Sequence, residues 1–310
     1  MLKMSEKIYV IGHMNPDTDS ICSALAYAEF KNQVDPGNEY IAARMGEMNS
    51  ETAYVLERFG FSEPVLLEDA TGLNIILVDH NEKSQSVEGY DGAQILEVID
   101  HHKINFKCSE PIYYLNEPVG STATILGDMF LSTAKNIDEG IAGLLLSAIL
   151  SDTVVFKSAT TTEKDWRVAK KMAQLAKIND IKAFGIEVKK AKSSLEGLSA
   201  NQIIYSDFKD FDFKNSKVGI GQIEVVDSAE SEMRRDELLD ELNDIRESKD
   251  YDLLVLMVTN IMDEGSELLV SGLSNKIEAA FDVEVKDNRV YLDGVMSRKK
   301  QIVPLIEGVF

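Results

Sequence analysis

The chain reads as an α/β protein, with an N-terminal domain on a parallel sheet and a smaller C-terminal domain of mixed α/β type. Three observations predict this. In the first half, short apolar runs alternate with helical patterns. Those runs are apolar throughout rather than at every second residue, as strands buried on both faces are. A polar stretch at 186–200, "IEVKKAKSSLEGLSAN", then interrupts the pattern before a second series of strands. A length of 310 residues suits two domains. The boundary falls near 190, giving domains 1–189 and 194–310, with part of the polar stretch as a linker.

The elements follow in order. "KIYVIGH" is a buried strand ending at Gly12. "DSICSALAYAEFKNQ" is a helix with small and apolar residues on one face, and Asp19 or Ser20 placed as its cap. "YIAARMG" is a second strand, and "NSETAYVLERFG" a helix capped by Asn49 or Ser50 and stopped by Gly60. "LNIILVDH" and "AQILEVIDHH" are two further strands, each closing on an Asp-His pair. "GSTATILGDMFLS" and "DEGIAGLLLSAILSDT" are helices, the second deeply apolar. Beyond the linker come the strand "KVGIGQIEVV", the charged helix "EMRRDELLDELNDIRESK", the strands "YDLLVLMVTNI" and "SELLVSGLS", the short helix "KIEAAFD" and the strand "RVYLDGV".

Composition excludes several classes. The net charge of −21 argues against a broad basic surface for nucleic acid, while leaving room for a small anion held by metals and a few local cations. The longest apolar run, at 141–150, is too short to span a bilayer and fits a buried helix. The first residues lack a signal peptide's apolar stretch. Two cysteines, Cys22 and Cys108, make no disulfide framework; buried free thiols in a reducing cytoplasm are the expectation.

The chemistry lies in four histidines. His13, His80, His101 and His102 all fall at three Asp-containing strand ends, and no other histidine occurs. Ligands of a parallel α/β sheet bind beyond the carboxyl ends of its strands, so strand direction gathers His13, Asp79 and His101 at one edge. Asp17 and Asp19 lie in the loop leading to the first helix, where Pro16 stiffens the chain. Asp152 ends the apolar helix. Alone, an aspartate after a strand is more often a helix cap. Several carboxylates gathered together repel unless neutralised, and two divalent ions bridged by a carboxylate match their number. Mixed imidazole and carboxylate ligands suit Mn, Fe, Co or Zn better than Ca or Mg.

These residues resemble a known family. "GHMNPDTDS", "VDHN", "DHH" and "LSDT" follow in order and spacing the motifs of the DHH phosphoesterase superfamily. The late "SRKKQ" (297–301) and "DFK" (207–209) are similar to those of its family II, manganese-dependent inorganic pyrophosphatases. The likeness covers nearly the whole chain. It implies that His13 and Asp17 hold one metal, that Asp19, His101 and Asp152 hold the other, and that Asp79 bridges the two. It implies that His102 contacts the substrate or its leaving group, and that Lys209, Arg298 and Lys299 of the C-terminal domain bind the phosphates. A cleft between the domains is the site it implies. Two Mn2+ per subunit are expected, with Co2+ able to substitute and Mg2+ accompanying the substrate. A cytoplasmic homodimer joined through its N-terminal domains is expected, with no nucleic acid and no membrane as partner.

The reaction so implied is hydrolysis of pyrophosphate to two phosphates by a hydroxide shared between two metals. Arg298 can grip phosphate oxygens bidentately, while Lys209 and Lys299 act as point charges. Alone, "SRKK" would read as a solvated basic surface. His80 is expected to orient Asp79 or its neighbours, and Asp100 to support rather than bind a metal; Ser121 and Thr122 are expected as helix caps, with the orienting of ligands as their alternative role. The alternative is a phosphodiesterase of the same superfamily that cuts short oligonucleotides or cyclic dinucleotides. Those relatives resemble one another in a late Gly-Gly-Gly-His type motif, and no histidine follows His102 here. A non-catalytic regulator with the same fold would be expected to lack a metal ligand, and none is missing.

Overall fold

The computed structural model describes residues 5–133, 136–193, 195, 197–226 and 228–310. The chain divides into two compact units, 1–192 and 193–310. The first unit begins with β1 (Lys7–Ile11), α1 (Thr18–Val34), β2 (Glu39–Arg44), α2 (Ser50–Phe59), β3 (Val65–Leu66), β4 (Asn74–Val78), β5 (Gln94–Asp100) and β6 (Tyr113–Asn116). Four helices follow: α3 (Thr122–Thr133), α4 (Glu139–Asp152), α5 (Glu163–Leu175) and α6 (Ile181–Ser193). The six strands are ordered β3-β2-β1-β4-β5-β6, and every neighbouring pair is parallel.

This order reverses direction beside β1. The chain moves outward from β1 to β2 and β3, then returns to lay β4 on the other side of β1. Such a switch point opens a crevice at the carboxyl ends of the two central strands. One sheet face packs Ile11, Ala43, Ile75, Leu77 and Val98 against loop side chains including Phe106 and Ile112. α1 lies against α3 and α4, and α4 is buried from Ile141 to Ser151, which is why its sequence is apolar all round.

Three local expectations need correction. The cap of α1 is Asp17, whose Oδ1 accepts the Ser20 N–H at 2.9 Å, and neither Asp19 nor Ser20 serves. Extended backbone at Asp17 lets the helix begin one residue earlier, at Thr18, and turns Asp19 into a buried first-turn residue. The 186–200 stretch is helical as far as Ser193, because Phe184 and Val188 bury an apolar face of α6; the expected start at 194 lies outside the described residues. α2 is capped by Asn49 and ended by Gly60 with φ +75°. Cys22 is buried as expected, but Cys108 is exposed.

The second unit is a five-stranded sheet in the order β11-β10-β9-β8-β7. Its elements are α7 (Ala200–Tyr205), β7 (Phe208–Phe213), β8 (Ser216–Val225), α8 (Ala229–Met233), α9 (Arg235–Ser248), β9 (Leu253–Asn260), β10 (Gly265–Gly272), α10 (Ser274–Phe281), β11 (Arg289–Asp293) and α11 (Val303–Gly308). β8 and β9 are parallel and the other pairs antiparallel. β9 explains its own composition. Leu254, Leu256 and Val258 pack against α7 and α9, whereas Leu253, Val255 and Met257 pack against α10 and α11. Both faces are covered, so alternation vanishes. Among the described residues, no helix is long and apolar enough to cross a membrane.

Candidate metal centre

β1, β4 and β5 are neighbours in register, with Ile11 opposite Leu77 and Val78 opposite Ile99. The residues just beyond these ends are His13, Asp79 and His101, so three parallel strands deliver them to one place. Gly12 is required here. A Cβ on it would lie 1.8 Å from Ser20 Oγ, the atom that accepts the His13 N–H at 3.0 Å. Asp79 takes a left-handed backbone, φ 61°, a region uncommon outside glycine in which aspartate and asparagine are the better tolerated residues. Such a conformation costs about 1–2 kcal/mol and is retained where the surroundings fix it.

The structure brings all six expected ligands together. His13, Asp17 and Asp79 offer ligand atoms within 4.8 Å of one another, and so do Asp19, Asp79, His101 and Asp152. Asp79 alone belongs to both sets, through Oδ2 at 3.5 Å from His13 Nε2 and Oδ1 at 3.4 Å from His101 Nε2. A third set joins Asp79, His101 and His102.

The imidazoles show what the cluster fits. His13 Nδ1 lies 2.8 Å from the Met14 carbonyl and His101 Nδ1 lies 2.9 Å from the Val119 carbonyl. A carbonyl only accepts, so each Nδ1 carries a hydrogen. In the neutral ring Nε2 is then a lone pair, and it faces carboxylates: Asp17 at 3.4 Å for His13, Asp152 at 3.7 Å for His101. Lone pairs directed at anions repel unless a cation lies between them. His101 Nε2 is buried and has no hydrogen-bond partner among the described residues. An orphaned His101 nitrogen, and a His13 nitrogen likewise aimed at carboxylate oxygens, fit divalent metal ions, with the Nδ1 bonds fixing the tautomer.

Charge says the same. Burial first, then Asp19 and Asp17, hold the Asp79 carboxyl well above its usual range. Burial, Asp19 and Asp79 do so for Asp152, which also sits at the negative end of the α4 dipole. His13 is half-buried, and that desolvation opposes its charge, but Asp17 and Asp79 outweigh it and raise the group to about 9. Protons thus supply positive charge in the metal-free chain, and a metal must displace the His13 proton. Mn2+ affinity should therefore rise with pH up to about 9. The metal-free chain should go the other way: stability from His13 protonation is full below its unfolded pKa near 6.5 and is lost as pH rises through about 9. Calorimetric titration from pH 6 to pH 9 checks both; affinity independent of pH, with no proton release, would refute the assignment.

The shell around these ligands was partly unforeseen. Both Asp19 oxygens accept from the start of α3, Oδ2 from Thr122 N–H at 2.6 Å and Oδ1 from Ala123 N–H at 3.0 Å. Thr122 also donates its hydroxyl to Asp79 Oδ1 at 2.9 Å, which is the second of its two expected roles, the orienting of a candidate ligand. Ser121 Oγ does accept the Ala123 N–H, as a cap does. Asp100 supports His102, taking its Nδ1 hydrogen at 2.9 Å. Burial opposes its ionisation, but bonds from His102 and Asn81 hold it down at about 2. Asn81, which sequence reasoning passed over, bonds Asp100 Oδ2 at 2.5 Å and the Lys103 carbonyl; its position directly after "DH" was the available signal. His80 bonds a neighbour of Asp79, Val78, rather than Asp79 itself. It is buried, bonds the Val78 carbonyl and Ser86 Oγ, and burial lowers it to about 4. It is a neutral brace for the loop after β4.

Lys209, Arg298 and Lys299 lie in the second unit. Lys209 is on β7, and Lys209 and Lys299 are exposed. Arg298 is buried and donates to the Asp207 and Ile220 carbonyls at 2.5 and 3.2 Å, and to Asp207 Oδ1 at 2.7 Å.

Comparison with known proteins agrees with this geometry. A model of the DHH family N-terminal domain matches residues 7–149, and one of the DHHA2 domain matches 186–309. The chain is 47% identical to the manganese-dependent inorganic pyrophosphatase of Methanocaldococcus jannaschii, with 97% of this chain and 99% of that one covered. It is 45% identical to that of Methanothrix thermoacetophila, with 99% of each covered. A Methanococcus jannaschii crystal structure assigned to family II inorganic pyrophosphatase superposes with a TM-score of 0.63 at 47% identity, covering 98% of this chain and 99% of that one. An exopolyphosphatase-related protein from Bacteroides fragilis, 14% identical, covers 99% of this chain and 92% of its own with a TM-score of 0.52, and shares the fold. Matched by both domain models and by relatives of this identity over nearly their whole length, the chain belongs to the family II, manganese-dependent inorganic pyrophosphatases of the DHH superfamily.

Proposed function

We propose that the protein hydrolyses inorganic pyrophosphate to two phosphates with two Mn2+ ions per chain. The observation that carries this reading is the pair of ligand sets that share Asp79 alone. His13 and Asp17 hold one ion, Asp19, His101 and Asp152 the other, and Asp79 both. Bound there, the ions supply positive charge to phosphoryl oxygens and acidify a coordinated water. Co2+ can replace Mn2+ in such a nitrogen and oxygen set, and Mg2+ accompanies the substrate. The protein works as a homodimer through its first unit.

The chain's own residues do the rest. In the reaction, a water oxygen bonds to one phosphorus and the bridging P–O bond breaks. Its electron pair stays on the departing phosphate, which takes a proton. His102 polarises or protonates that leaving oxygen through Nε2, because Asp100 already holds Nδ1–H. Arg298, Lys299 and Lys209 bind the phosphate oxygens, the lysines as point charges. His102→Gln should keep both metals and lose about a hundredfold in kcat, the usual worth of a positioned acid. An unchanged kcat, measured with Mn2+ saturating, would remove His102 from the mechanism.

The test of function is a paired assay. Metal-stripped protein receives pyrophosphate or a 5′-phosphorylated diribonucleotide, with Mn2+ or with Mg2+ alone. Fast, Mn2+-dependent phosphate release beside an inert dinucleotide is the expected result. Dinucleotide cleavage with slow pyrophosphate turnover would replace this reading with that of a phosphodiesterase.

A further inference from the structure

Beside the candidate metal ligands lies an ion pair that the reaction does not use, its carboxylate buried and its ammonium half-buried. Glu51, in the first turn of α2, is 2% exposed. Its Oε2 is 3.0 Å from Lys189 Nζ on α6. Its Oε1 accepts two hydroxyl hydrogens, from Thr18 at 2.7 Å and from Ser151. Lys189 Nζ also approaches Ser151 Oγ at 3.4 Å and the Ser151 carbonyl at 3.5 Å.

The two hydroxyls have telling positions. Thr18 stands between Asp17 and Asp19, and Ser151 directly precedes Asp152. One carboxylate oxygen therefore ties the start of α1 to the end of α4, the two segments that carry three of the six carboxylate and imidazole ligands. We propose that Glu51, held by Lys189, is a positioning residue that sets the spacing of Asp17, Asp19 and Asp152 for metal binding. This rests on the ligand assignment above.

The pair's charges are needed for that task. An uncharged acceptor holds two hydroxyls more weakly than a carboxylate. A carboxylate at this depth must have a cation beside it, and Lys189 supplies one. Fold stability alone is a poor reason to keep such a pair, since apolar replacements of buried ion pairs are often neutral or stabilising. Groups that orient metal ligands typically change metal affinity ten- to hundredfold when removed.

The experiment titrates Mn2+ into the metal-stripped full-length chain by calorimetry, alongside thermal unfolding without metal. Glu51→Ala and Lys189→Met should each weaken Mn2+ binding about ten- to hundredfold. Lys189→Arg should restore binding to within about threefold of wild type, because its charge can still meet Glu51. At saturating Mn2+ the KM for pyrophosphate should not move, while kcat falls. Thr18→Val and Ser151→Ala each delete one hydroxyl and leave the ion pair intact, so they decide the matter if the Glu51 variant fails to fold. Both should weaken Mn2+ binding several-fold. Wild-type affinity in these folded variants would overturn the role of Glu51. A wild-type chain that binds fewer than two Mn2+ would instead overturn the ligand assignment beneath it.

Discussion

Asp79→Ala should bind neither Mn2+ with native affinity and should lose about a thousandfold or more in turnover, ~4 kcal/mol of transition-state stabilisation. Both ligand sets pass through this one carboxylate, so its loss cannot be confined to one ion. Alanine would also leave the buried Thr122 hydroxyl without its acceptor. Asp79→Asn is the sharper variant, since it keeps shape and a carbonyl oxygen for Thr122 while removing the charge. In the metal-free protein the asparagine should raise stability near neutral pH. Burial first, then Asp19 and Asp17, hold Asp79 there well above its usual range, so ionising it works against the fold. The sign follows from linkage. Stability due to the raised group is full below the ordinary carboxylate pKa and is lost as pH climbs through the folded value. Elemental analysis for Mn2+, steady-state turnover and unfolding with and without metal are the measurements. Two bound ions with near-normal turnover would sink the shared role of Asp79.

Arg298→Ala should leave two Mn2+ bound and lower kcat/KM by about a hundredfold, ~3 kcal/mol for lost charge-assisted bonds to phosphate. It should also lower the stability of the second unit. Three N–H groups of Arg298 bond Asp207 and Ile220, fixing the entrance to β7 two residues before Lys209. Arg298→Lys keeps the charge and loses the fork, so it should recover little of either effect. Lys209→Ala and Lys299→Ala separate the two roles, because both side chains are exposed. They should weaken substrate capture with no change in denaturant midpoint. Unchanged kinetics in Arg298→Ala would refute its part in phosphate binding.

Much of this protein was legible in its sequence, and the physical reasons are specific. Strands buried on both faces must be apolar throughout, as β4 and β9 are, so a covered α/β sheet announces itself locally. Strand direction is a property of the chain, so residues at the carboxyl ends of β1, β4 and β5 were bound to share an edge once those strands were neighbours. The carboxylates and imidazoles at those ends named the chemistry by composition. Other features depended on contacts between distant segments. Asp17 could be taken as a cap only when Thr18 was seen to start α1. Thr122 reads as a helix-start residue, yet its hydroxyl turns to Asp79, which lies 43 residues away in the chain. His80 follows an aspartate as His101 does, but its ring is turned into the core toward Ser86. Glu51 looks like an ordinary acid in the first turn of a helix, and only packing reveals its partners, Ser151 and Lys189. Local sequence determined which side chains could do the chemistry. Tertiary structure decided which atoms they face, because burial and hydrogen bonding between remote segments fix ring and carboxylate orientation, and no local pattern encodes that.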